Sequence, residues 1–64
     1  MELETLIRRV KGEFLEMPGL SLTFAQAERL WGLERELCAH VIDVLVSAAF
    51  LRRTPAGSII RADA

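Results

Sequence analysis

The chain has 64 residues, with hydrophobic types at 52%, a single cysteine, no tyrosine and a net charge of -1 at neutral pH. A chain this short makes one domain that buries only about 60% of the surface it exposes when unfolded. It scarcely forms an enzyme's cleft, and its lone cysteine rules out an internal disulfide. The charge balance lacks the positive excess of a typical isolated nucleic-acid-binding domain. No run reaches the roughly 18 apolar residues of a membrane span, and Glu2 and Glu4 after Met1 are unlike a signal peptide, so a cytoplasmic protein is expected.

The first element is a helix over residues 1–17. Leu3, Leu6, Ile7, Val10, Phe14 and Met17 recur at spacings of three and four, and Glu4 with Arg8 and Arg9 with Glu13 are placed for mutual support. Pro18 and Gly19 stop it, and Gly12 weakens it by about 1 kcal/mol relative to alanine. The helix is expected to lie as a lid on the core, or alternatively to offer a dimer seam. Arg8, Arg9 and Lys11 form a basic cluster that is either a solvated face or a phosphate contact.

A second helix is expected over residues 23–31. Thr23 stands three residues before Gln26, the spacing of a capping box. Phe24, Ala27, Leu30 and Trp31 fall on one side at about 100° per residue, leaving Gln26, Glu28 and Arg29 wet. Gly32 closes the helix where a left-handed residue costs least, and Leu33 folds back between the helices. A third helix then runs over residues 34–48, with Cys38, Val41, Ile42, Leu45 and Ala49 along an apolar arc flanked by Leu37, Val44 and Ala48. Cys38 reads as core filler. His40 is two positions from Cys38 and so on another side of the helix, and no ligand set for a metal or other cofactor exists. No nucleophile, base and acid arrangement stands out, so no catalytic residue and no enzyme are expected.

Residues 50–61 read as a hairpin: Phe50–Arg53 as one strand, Thr54–Gly57 as a turn with Pro55 and Gly57 at its special positions, and Ser58–Arg61 as the return. Such a pairing is expected to bring Arg52, Arg53 and Arg61 together. Residues 62–64 look like a frayed end.

The stretch from Leu22 to Arg53, LTFAQAERLWGL followed by ERELCAHVIDVLVSAAFLRR, resembles the winged helix-turn-helix DNA-binding domains of bacterial regulators. The resemblance implies a mainly α fold with a small β-hairpin: three helices plus a two- or three-stranded wing, with a short strand near residues 19–22. It implies a recognition helix beginning near Glu34 that presents Arg35, Glu36, Ala39, His40 and Asp43 outward. Two positions depart from the pattern. Glu34 replaces the usual Ser or Thr cap, and Ala49 replaces the glycine that lets the chain leave the helix, where an αL geometry costs about 1 kcal/mol or more.

The expected function is that of a small double-stranded-DNA-binding regulator. Arg35, Ala39 and His40 would face the major groove, with Glu36 and Asp43 on the same face, while Arg52, Arg53 and Arg61 would grip phosphates. The alternative is a winged-helix module that binds protein instead, suggested by the acidic recognition face. Val46, placed opposite the apolar stripe, together with Leu20, Leu22 and Ile59, adds apolar surface beyond what one small core absorbs. That surplus suggests a homodimer.

Overall fold

The computed structural model describes residues 2–63. Met1, the expected start of the first helix, and Ala64, the expected frayed end, lie outside them. The described residues form three helices and a small antiparallel sheet in the order α1 (Leu3–Glu16), β1 (Leu22–Thr23), α2 (Phe24–Trp31), α3 (Arg35–Ser47), β2 (Leu51–Arg53) and β3 (Ser58–Arg61).

Only one ridge of α1 is buried: Leu6, Val10 and Phe14, each four residues from the last, with Ile7 packed alongside. Leu3 and Met17, expected on the same stripe, are 38% and 51% exposed, because they overhang the two ends of the helix beyond the reach of the core. Met17 leaves helical geometry, and the Leu20 N–H donates to its carbonyl across Pro18 and Gly19. That turn brings Leu20 back onto the core and Leu22 into the sheet.

The α2 start follows the spacing. The Thr23 hydroxyl accepts from the Gln26 N–H at 3.1 Å, and the Gln26 side chain accepts from the Thr23 N–H at 2.9 Å. With only eight residues, α2 buries Ala27 and Trp31, one turn apart. Leu30, expected beside them, is 51% exposed, since one residue of helix rotates it about 100° from Trp31. Glu28, expected to be wet, is half-buried.

Both corners around α3 use the same device. Gly32 has φ 65°, and the Leu33 N–H reaches back to the Glu28 carbonyl. At the far end of α3, Ala49 has φ 61°, its N–H bonds to the Val46 carbonyl and the Phe50 N–H to that of Leu45. In each case a left-handed residue turns the chain, and the next side chain, Leu33 or Phe50, packs onto the core. Ala48 and Ala49 are exposed rather than part of the buried arc, because α3 has ended by then.

Between these corners α3 buries Cys38, Val41, Ile42 and Leu45. It touches α1, α2 and β2. This enclosure accounts for Val46, which packs partly buried against the core instead of standing on a free side. Leu20 does likewise, and Leu22 and Ile59 are buried in the sheet, with 9% and 2% of their surface left exposed. These four residues therefore supply little of the apolar surplus attributed to them; among the described residues the large apolar side chains left exposed are Leu3, Leu15, Met17 and Leu30.

The sheet order is β1-β3-β2, all antiparallel, so the sheet has three strands with β3 in the centre. Leu22 pairs with Ile59, and Leu51 with Arg61. The hairpin turn is closed by the Gly57 N–H on the Thr54 carbonyl and by the Ser58 N–H on the Thr54 hydroxyl, with Gly57 at φ 89°. The core cluster joins Leu6, Val10 and Phe14 of α1 to the α3 stripe, Trp31, and Leu22, Leu51 and Ile59 of the sheet.

Candidate nucleic-acid interface

The uncovered side of α3 is written in its spacing. Glu36, His40, Asp43 and Ser47 follow one another at four, three and four residues and are all exposed, with Arg35 exposed at the first turn. Ala39 is half-buried at the margin of this face. The helix reaches this position without a side-chain cap: Glu34 is extended and contributes only its carbonyl, which accepts from the Cys38 N–H at 2.9 Å. Cys38 lies directly underneath, wholly buried. Burial, and secondarily the Glu28 carboxylate, push its thiol up from its ordinary range.

The hairpin arginines do not converge. Partners across a sheet share a face, and residues two apart along a strand do too, so Arg53, Ile59, Leu51 and Arg61 lie on one side of the hairpin and Arg52 and Ile60 on the other. Arg53 and Arg61 sit at opposite ends of that side. Arg53 reaches across to α3, where its Nη2 donates to Oδ1 of Asp43 in an ion pair between two exposed side chains. Arg61 donates to Asp63 at 2.9 Å and lies with its guanidinium 5.5 Å from the centre of the Phe50 ring. From α1, the Lys11 ammonium stands 5.1 Å from the same ring. Of the basic cluster read on α1, Lys11 is thus joined to the hairpin, while Arg8 and Arg9 are exposed.

Contacts between residues far apart in the chain have no local spacing to announce them. Asp43 and Arg53 are ten positions apart, on either side of the Ala49 corner. Lys11 lies on α1, and Phe50 follows the Ala49 corner at the start of the hairpin. Glu13, spaced to support Arg9, instead accepts a 3.1 Å hydrogen bond from the Trp31 indole, whose ring also meets Phe14 edge-on. The one hint available was compositional: a buried indole needs an acceptor.

Around the α3 and β2 corner Arg35, Arg52 and Arg53 stand with Glu34, Glu36 and Asp43, so this surface has no strong net charge of either sign. Between β1 and α2, exposed Leu30 and the strand residue Leu22 line an open apolar groove with Gln26 and Arg29. Among the described residues, no three of His, Cys, Asp and Glu come together in a way that could hold a metal ion. None of the described helices is long and apolar enough to cross a membrane.

Comparison of the chain with protein-family models, with curated proteins and with solved structures finds no match.

Proposed function

We propose that this chain is a winged helix-turn-helix protein that binds double-stranded DNA and acts as a small cytoplasmic transcriptional regulator. The observation that carries the reading is the exposed outer stripe of α3, bounded by two left-handed corners and followed by a hairpin that carries Arg52 and Arg53. In this reading α3 enters the major groove, with Arg35 and His40 nearest the base edges and Glu36 able to accept from a cytosine amino group. Arg52 and Arg53 meet the backbone. Arg61, half-buried against Phe50, contributes by fixing the hairpin rather than by direct contact. Two copies act together, because one neutral-faced domain supplies little affinity. The exposed Leu3, Leu15, Met17 and Leu30 offer apolar surface for that pairing on α1, the turn after it and α2.

The test is a mobility shift with mixed genomic duplexes at low ionic strength, repeated with Arg52→Glu and Arg53→Glu combined. Retardation that fades steeply with salt and is lost in the double variant is the expected result. No retardation by the wild-type chain at the lowest salt ends the reading.

A second reading has its own observation in the open groove around Leu22 and Leu30 and in the two carboxylates on the α3 stripe. It makes the chain a protein-binding module, and it predicts an absence of DNA retardation together with a specific partner recovered by pull-down.

A further inference from the structure

The ion pair between Asp43 and Arg53 links the outer stripe of α3 to the strand that carries the hairpin arginines. Both side chains remain well exposed, 62% for Asp43 and 51% for Arg53, so the pair is weak, screened by salt and open to exchange with another anion. A DNA phosphate is such an anion. It presents acceptor oxygens to the guanidinium in the same geometry as a carboxylate. Once displaced, the Asp43 carboxylate is left on the face that meets the duplex.

We propose that Asp43 is a built-in competitor for Arg53: it occupies the guanidinium in the free protein, so that backbone contact through this arginine requires exchange of carboxylate for phosphate. The device lowers sequence-independent affinity, and only a site whose other contacts hold α3 in the groove completes the exchange. The inference rests on the DNA-binding reading and names a regulation of that same surface.

Asp43→Asn keeps the shape of the side chain and removes its charge, and the exposed position makes the variant safe for folding. Each phosphate contact released from competition adds about 0.9 to the slope of log affinity against log salt, worth up to about eightfold between 1 M and 0.1 M salt. Binding to a random-sequence duplex is measured across a salt series for wild type, Asp43→Asn, Arg53→Ala and the double variant. The expected result is an Asp43→Asn gain of about three- to eightfold at 0.1 M with a slope steeper by about 0.9, both absent when Arg53 is already alanine. If the wild type binds but Asp43→Asn binds equally or more weakly, the competitor is overturned and the DNA-binding reading stands. If Asp43→Asn gains as much in the Arg53→Ala background, the carboxylate repels DNA directly and the competitor is again overturned. If none of the four chains retards DNA, both the reading and the competitor fall.

Discussion

Ala49 is the one non-glycine residue with positive φ among the described residues, at 61°, and it carries the turn from α3 into the hairpin. For an L-residue with a Cβ this conformation costs about 1–2 kcal/mol. Replacing it with glycine removes that strain but frees the unfolded chain, which offsets about 0.4–1 kcal/mol. Ala49 is exposed, so no packing is lost with its methyl group. The net expectation is a stabilisation of about 0.5–1 kcal/mol; with an unfolding entropy near 2.1 cal/mol/K per residue, that raises the Tm of this 64-residue chain by about 4–7 °C. Urea denaturation followed by circular dichroism should show a higher midpoint with an unchanged slope. Gly32→Ala is the mirror experiment. Beyond its chain neighbours nothing lies within 4 Å of the Cβ it would add, so backbone strain is what opposes it, and a loss of about 1 kcal/mol is expected. Should Ala49→Gly destabilise the chain, or Gly32→Ala leave it unchanged, the account of the two corners is wrong.

Thr23→Ala deletes one half of the capping box and should cost about 1 kcal/mol in the same urea assay, with Gln26→Ala adding little more in the double variant because the two bonds form one unit. Cys38 should resist alkylation in the folded state and react as the chain unfolds, so its labelling rate should follow urea concentration. Its titration has a definite sign. The unfolded chain loses the thiol proton near pH 9.0 while the folded chain still holds it, so stability is full below that pH and declines above it. The decline is at most about 1.4 kcal/mol per pH unit, and a Cys38→Ala chain should show a flatter profile over the same range.

Local rules in the sequence specify local structure here, and they do so well. The Thr23 and Gln26 spacing, the Gly32 corner and the Pro55 and Gly57 turn all depend on neighbours within five residues, which is why they could be read from the chain; the left-handed Ala49 was not, because an alanine at the end of an apolar arc reads as more helix. Burial was legible only where an element is enclosed. The α3 stripe from Cys38 to Leu45 came through because three other elements contact that helix. Leu3, Met17 and Leu30 did not, because periodicity says which face a residue shares and not whether anything covers it. Val46 failed in the opposite direction: the hairpin folds against a second flank of α3, a fact of tertiary structure with no local signature. The surface of the candidate site was likewise half legible. Exposure of Glu36, His40 and Asp43 follows from the helical wheel. The parting of Arg52 from Arg53 and Arg61 follows from strand alternation once the register is known. The Asp43 and Arg53 pair depends on how the corner aims the strand.

That aim does not come from the ion pair itself, which as an exposed contact contributes about 0–1 kcal/mol. Arg53 is delivered to α3 by the backbone. The Ala49 corner reverses the chain, the Phe50 ring is met by both the Lys11 and Arg61 cations, and Leu51 is buried to 1% exposure against the core. Across the ladder, Ile59 pairs with Arg53 on one side and Leu22 on the other, which fixes the height of the strand end. Removing the Asp43 charge should therefore leave the Arg53 backbone where it is and change only which anion its guanidinium meets. Changing Phe50 to alanine should do the reverse, keeping both charges but loosening the strand that presents one of them. A hairpin that moves on Asp43→Asn, seen as altered amide hydrogen exchange at Arg53 and Ile59, would mean that the pair holds the structure in place and does not merely occupy it.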